Sequence, residues 1–592
     1  MSNTNKSYSV DHTNVGTLLH WIEEDKIGLP EMQRPFVWKS IQVRDLIDSL
    51  YRGYPIGFIV TWQNPDAALK NGGKGQNKEI IIDGQQRITA LKAALEGHKI
   101  VDDKYLSKRI YIAFNPTTEE FATRSAAIAK DPKWIPDISI FNQPSFDEFE
   151  YVINNSQSLG LPGNKLNAII QKLKAISESE IGVINLDSKL PIDQVTDIFN
   201  RINQKGTRLS SADFAMSRLS SDVTHHGNDL RKEIEYFIQI YNDSVLADNI
   251  KQMDPDFADS EYYQHIAWAK NENTTIFDPD FGDLLHICLG IGFLRGRLSQ
   301  LISLISGRDF ETKTYTEEAM AKSYQKLNET IQYVLNESNF KRYILLLKSL
   351  GIVDKNYAKL PDSYTNFGYI LYLYLKKYTN FNNDEIEKYT KQWILMSALT
   401  KRYGSSPETG FDKDLRLLAE NNSNNQLVEF FNDVITDNLT DEFWNLTLPN
   451  NLVAQTTQLT NWRIFQMSQI HAKSHAWLEK DKFTADTINE QGNVHHIFPK
   501  AYLRKNGFKQ SEYNQVANYV WITQPRNLDI GDRAPKDYMT DMETTKYHSG
   551  ENDQANAIPK DLNELDYHQY DHFLNERRKL MAQNIRRFFN SL

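Results

Sequence analysis

The chain has 592 residues, of which 40% are hydrophobic and 24% charged, with a formal net charge of −10 and a single cysteine, Cys288. At roughly 150 residues per domain this length predicts three to four domains. One cysteine excludes intrachain disulfides and cysteine-based zinc sites, and the net acidity argues against a generally DNA-coating surface but not against a local basic groove.

The opening stretch, "MSNTNKSYSVDH", is polar throughout and lacks the apolar core of a signal peptide. The longest strongly apolar stretch, Leu284 to Leu294, is far short of the roughly 20 residues that span a bilayer, so a cytoplasmic protein with no membrane partner is expected. "VGTLLHWIEEDKIGLP" reads as a helix ending before Pro30, and "QVRDLIDSLYRGYP" as a second one stopping at Gly53 and Pro55. Two β-rich runs follow, "IGFIVTW" and "KEIII", separated by the loop "NPDAALKNGGKGQN". The glycines of "GGKGQNK" read as a loop tip, and no GxxxxGK[ST] loop is present, which excludes a P-loop NTPase.

In "IIIDGQQRITALKAA" the strand delivers the chain to Asp83, Gly84 permits a tight turn, and a helix starts near Gln85. The N–H groups of that helix start, with Arg87 as a cationic fork, suit a phosphate-bearing ligand. Asp83 would take a metal or a ribose hydroxyl, and Gln85 and Gln86 would orient a water or a base edge. A capped helix with Arg87 in an ion pair would explain the acid and the glycine, but not both glutamines.

"RIYIAFN" and "IGVINL" are further strands, and "LPIDQVTDIFNRINQKGTRLSSADFAMSRL" reads as two helices around Lys205–Gly206. From about residue 225 to 440 apolar residues recur at helical spacing, as in "DLRKEIEYFIQIYN" and "EIEKYTKQWILMSALTKRY", with no fixed-period repeat. Beyond about residue 445 the texture returns to helix, short strands and a terminal helix, "FLNERRKLMAQNIRRFF". His471 and His475 are spaced i, i+4 without an evident third ligand, and read as helix-face histidines. Arg577, Arg578, Arg586 and Arg587 read either as trackers of a phosphate backbone or as a solvated helix face.

The strongest chemical signal is "VHHIFPK", followed by "NYVWITQPRNLDIGDRAPKDY". A second β-rich run begins at Asn518, Asn527 sits just past its end, and a helix is expected from Arg533. This pattern resembles the HNH, or ββα-metal, nucleases, specifically the C-terminal domain of GmrSD-type restriction endonucleases. The resemblance implies that His496 is the general base, that His495 and Asn527 hold a divalent cation, and that Asn518 fixes the loop orienting the base. The position before the catalytic histidine is more often acidic in that family, so His495 makes the ligand set richer in nitrogen. Mg²⁺ or Mn²⁺ is expected, with Ni²⁺ or Zn²⁺ as alternatives.

"IDGQQRITAL", with "LPEMQRPFVWKSIQVRDLIDSLYRGYPIG" and "DIFNRINQKGTRLSSADF", also resembles the N-terminal domain of GmrSD-type proteins, over about the first 220 residues. That resemblance implies a ParB/sulfiredoxin-like fold that binds and hydrolyses a nucleoside triphosphate. Asp83, Gly84, Gln85, Gln86 and Arg87 would form its centre, Gln33 and Arg34 would approach it, and Asn200, Arg201 and Asn203 would form a third wall. Phe36 and Trp38 read as core packing. The expected architecture is multidomain α+β: a nucleotide-binding domain at 1–225, an all-α coupling region at 226–445 and a ββα-metal domain at 446–592. The function implied is a nucleotide-regulated, modification-sensing endonuclease acting on double-stranded DNA. A DNA- or nucleotide-binding regulator with a degenerate nuclease domain, and a nuclease toxin indifferent to modification, are the alternatives. A homo-oligomer is compatible with each.

Overall fold

A computed structural model describes residues 7–24, 26–28, 36–63, 79–101, 106–188, 190, 194–195, 198, 210–220, 222, 224–272, 274–353, 360–421, 423–457, 459–491, 494–541 and 546–592. The chain divides into two compact units: Met1–Asn271 with Leu301–Gln325, and Glu272–Gln300 with Lys326–Leu592.

In the first unit a five-stranded mixed sheet runs, from edge to edge, Tyr8–Asn14, Glu180–Leu186, Phe58–Gln63, Glu79–Asp83 and Ile27–Gly28. Its strands are β1 (Tyr8–Asn14), β2 (Ile27–Gly28), β3 (Phe58–Gln63), β4 (Glu79–Asp83) and β9 (Glu180–Leu186). Two small hairpins, β5 (Lys99–Val101) with β6 (Ser107–Arg109) and β7 (Ile112–Asn115) with β8 (Glu120–Thr123), lie outside it. Helix α1 (Val15–Glu23) starts where the Asn14 side chain accepts the Thr17 N–H at 2.7 Å. Its buried Val15, Leu18, Leu19 and Ile22 repeat at helical spacing, so one stripe faces the core. The sequence reading carried this helix on to Leu29. Instead it ends at Glu23, because Ile27–Gly28 pairs in parallel with Glu79–Ile80, a long-range ladder that local periodicity does not reveal.

Helix α2 (Ser40–Tyr51) ends before Gly53, which adopts φ +72°, as the glycine stop predicted. Its Val43 and Ile47 are buried in one core with Ile59 and Ile81 of the sheet and Ile88 and Leu91 of α3 (Gln85–Leu91), the helix against which α2 packs. Burying each such side chain is worth about 1.5–3 kcal/mol. Phe36 is buried in this core and Trp38 packs on it, as expected.

The second unit is mainly helical. Its central helix, Asp362–Tyr378, is buried at every position from Tyr364 to Leu375, which marks it as the core strut. Glycines let its neighbours close in: a Cβ at Gly368 would lie 2.6 Å from the Ile394 side chain, and one at Gly290 would lie 2.9 Å from that of Ile370. Two of its buried tyrosine hydroxyls end on carbonyls, Tyr369 on Val334 at 2.6 Å and Tyr374 on Leu418 at 3.0 Å. Among the described residues no single helix is long and apolar enough to cross a membrane.

Beyond this core lies a two-stranded ladder of β10 (His495–His496) and β11 (Tyr519–Val520), then a helix at Gln524–Ile530 and a terminal helix at Tyr570–Asn590. His475 falls outside the helix Thr460–His471, so the histidine pair does not share one helix face; His475 instead stacks on Phe483. The helix expected from Arg533 is a single turn, Pro535–Tyr538.

Candidate functional site

The antiparallel ladder sets His495 opposite Val520 and His496 opposite Tyr519. Directly after it the Ile497 N–H donates to the Asn518 carbonyl at 2.8 Å. The Asn518 side chain, wholly buried, accepts the Phe498 N–H at 2.8 Å and donates to the carbonyls of Phe498 and Tyr513, both at 3.1 Å. Facing one N–H and two carbonyls, the amide can take only one orientation. Tyr538, also buried, donates its hydroxyl to the Ile497 carbonyl at 2.8 Å. Pro499 then precedes a short helix, Lys500–Lys505, so the chain leaves the strand at once.

His496 is held from the side as well. Its Nε2 lies 3.0 Å from Oδ1 of Asn514, an atom that only accepts, so the neutral ring carries its proton on Nε2 and keeps a lone pair on Nδ1. Tyr519 meets the ring edge-on with centroids 5.1 Å apart. Burial pushes the His496 pKa down, partly opposed by the Asn514 hydrogen bond, with Lys500 and His495 lowering it further. Burial also lowers that of His495. Asn514 is a partner of His496 that sequence reasoning misses, because a polar residue in "YNQVAN" looks like an ordinary turn.

Asn527 lies inside the helix Gln524–Ile530 rather than ahead of a helix as expected, since Pro525 starts that helix early. In chain order the short helices Lys500–Lys505 and Gln510–Tyr513 separate the two paired strands and the helix Gln524–Ile530 follows the second, with His495 and His496 on the first strand and Asn527 on that helix. Among the described residues neither the His495 imidazole nor the Asn527 side-chain amide has a hydrogen-bond partner. Beside Asn527, Arg526 stacks on Tyr547 at 3.4 Å and pairs with Asp529 at 2.7 Å.

In the first unit Gly84 adopts φ +104°, and a Cβ there would lie 2.3 Å from Cδ1 of Ile59, so only glycine fits this turn. Asp83 does not cap the helix; it accepts from Arg87 at 2.8 Å. The Arg87 and Asp83 side chains are 17% and 25% exposed, which shields the pair from solvent and distinguishes it from a surface ion pair. Arg87 also donates to the Ile56 carbonyl at 3.0 Å. Gln86 accepts the Val37 N–H at 3.1 Å and Gln85 donates to the Ile81 carbonyl at 3.3 Å. The turn thus engages the "MQRPFVW" block itself, through Val37. Gln33, Arg34, Asn200, Arg201 and Asn203 lie outside the described residues.

The four terminal arginines are not a free basic stripe. Arg577 is wholly buried, Arg578 reaches Gln515 at 3.3 Å and Arg586 pairs with Asp441 at 2.6 Å.

Along nearly its whole length, 96% of this chain and 92% of the relative, the sequence is 21% identical to the uncharacterized protein MJ0686 of Methanocaldococcus jannaschii. Residues 16–220 match the family model of the GmrSD restriction endonuclease, N-terminal domain. The region 16–220, which carries the glycine-dependent turn and the Asp83–Arg87 pair, is thus similar to the N-terminal domain of the GmrSD restriction endonuclease.

Proposed function

We propose that the protein is a nucleotide-regulated, metal-dependent DNA endonuclease of a GmrSD-type anti-phage restriction system that senses modified DNA. The observation that carries the reading is the Asn514–His496 contact, which reserves Nδ1 as a base, combined with the Asn518 clamp on the turn that follows. His496 would take a proton from a water beside the scissile phosphate, its lowered pKa keeping it neutral for the task.

Among the described residues no hydrogen bond engages the His495 and Asn527 side chains, and an imidazole nitrogen and an amide oxygen are donor types that would together hold a divalent cation. Two such protein ligands leave positions for water and phosphate oxygens. When bound, the cation would supply Lewis-acid stabilisation of the phosphate charge and leaving oxygen. A donor set with one nitrogen and one oxygen accepts Mg²⁺ or Mn²⁺, and also Ni²⁺ or Zn²⁺.

The ParB/sulfiredoxin-like domain at 1–225 would bind and hydrolyse a nucleoside triphosphate around Asp83–Arg87, with Gln33 and Arg34 completing the pocket. The helical region at 226–445 would couple nucleotide state to the nuclease domain at 446–592. A second reading, a nucleotide- or DNA-binding regulator, draws on the histidine at 495 in a position more often acidic in the resembling family.

The decisive experiment incubates the purified protein with modified and plain phage DNA, with each divalent cation and with or without nucleoside triphosphates, following DNA ends and released phosphate. Cation-dependent cutting that favours modified DNA and responds to nucleotide supports the endonuclease. Phosphate release or DNA binding without cutting under any cation would establish the regulator instead, and equal cutting of both DNAs a nuclease indifferent to modification.

A further inference from the structure

Arg577 is 0% exposed, and no carboxylate pairs with it among the described residues. A buried cation without a counter-ion is costly, and burial pulls its pKa down to about 9, opposed only weakly by Tyr538 and Tyr570. An apolar side chain would fill the same space without that cost, so the guanidinium calls for a reason. Its two ends bind carbonyls of separate segments: Nη1 donates to Ala517 at 2.8 Å and Nη2 to Asn556 at 3.2 Å.

Ala517 immediately precedes Asn518. The same helix face grips this segment one turn pair earlier, where the Tyr570 hydroxyl donates to the Glu512 carbonyl at 3.1 Å, and Arg578 adds Gln515 at 3.3 Å. The segment 512–518 holds both Asn514, which fixes the His496 ring, and Asn518, which fixes the backbone after it. A rigid bidentate fork can hold two backbones at one distance, which a lysine ammonium cannot.

We propose that Arg577 is a positioning residue of the His496 site: its fork locks the segment 512–518 to the terminal helix so that Asn514 and Asn518 meet the histidine turn in register. The proposal rests on the nuclease reading for its kinetic consequence, but not for its structural one.

The test uses the full chain with Arg577→Met and Arg577→Lys, and Arg586→Gln on the same helix as a control. Two readouts are taken: amide hydrogen exchange, and cutting rates resolved into kcat and KM on the DNA that the wild type cuts. Expected is a selective loss of protection at the Ile497 and Phe498 amides, with a fall in kcat of about 10–100-fold at near-constant KM, since small displacements of a catalytic group cost that much. The lysine variant should recover part of the rate and the control should match wild type. If the wild type cuts no DNA, the nuclease reading fails while the exchange arm still decides the positioning role. Unchanged protection at residues 497 and 498, or loss spread evenly over the unit in both Arg577 variants, overturns the proposal.

Discussion

Asn518 and Phe498 exchange two hydrogen bonds between side chain and backbone, the Phe498 N–H to Oδ1 at 2.8 Å and Nδ2 back to the Phe498 carbonyl at 3.1 Å. A buried amide used in this way fixes the peptide two residues past His496. Aspartate has the same shape but only accepts, so Asn518→Asp would keep the first contact and oppose two carbonyls with a charge. Each buried group left without a partner costs about 1–3 kcal/mol. Asn518→Asp should therefore lower the melting temperature of the second unit and reduce cutting at least ~100-fold, out of proportion to the stability lost. Thermal melts and single-turnover cleavage at a temperature where the variant is folded check both parts.

His496 gives a prediction with a sign. As a base it works in the neutral form, and burial lowers its pKa below the ordinary 6.5. The active form thus persists to lower pH than for an exposed histidine. At saturating cation the cutting rate should fall on acidification, as the ring takes up a proton, with its midpoint at a lower pH than an exposed histidine would give. His496→Ala should remove about 10²–10⁴-fold of the rate while nucleotide turnover is retained. A rate that halves near pH 7, or a variant that still cuts, would contradict the assignment.

Much of the local structure that carries these residues was legible in the sequence, and the parts that were not share a physical cause. The strands at 58–63 and 79–83, the glycine turn and the pairing of the "VHHIFPK" run with a later strand follow local rules of alternation and turn chemistry. The short strand at Ile27–Gly28 was hidden because its partner lies at 79–80. Arg577 was read as a surface or phosphate-tracking cation because charge on a helix ordinarily faces water. Its acceptors are carbonyls, one of them 60 residues away, and backbone acceptors leave no mark in a sequence. Asn514 escaped for the same reason in reverse: its partner is a histidine 18 residues earlier, and its own neighbourhood looks like a turn.

His495 and Asn527 supply the test of the cation. If both are ligands, Asn527→Ala removes one oxygen donor and should raise the cation concentration for half-maximal cutting about 10-fold or more, comparable to the 10–100-fold cost of disturbing partners around a metal site. His495→Asp replaces a nitrogen donor with a harder, charged oxygen and should shift preference from Ni²⁺ and Zn²⁺ toward Mg²⁺ and Mn²⁺. Metal titrations of cutting, with direct binding by calorimetry, would show both. An unaltered titration for Asn527→Ala would remove it from the ligand set.

The Asp83–Arg87 pair closes the turn of the first unit at 2.8 Å, so Arg87 reaches any anion only while tied to Asp83 and the Ile56 carbonyl. Two roles are separable here. If Arg87 only braces the turn, Arg87→Gln and Asp83→Asn should destabilise the first unit by similar amounts, with a coupling of about 0.5–3 kcal/mol in the double variant, and leave nucleotide affinity in the folded protein unchanged. If Arg87 also contacts phosphate, Arg87→Gln should weaken nucleotide binding at least ~10-fold, about 1.4 kcal/mol. Asp83→Asn, which frees the guanidinium from its carboxylate, should then weaken binding less, or strengthen it. Calorimetric titration of the three variants against the wild type separates the cases, and the nucleotide-site assignment predicts the second.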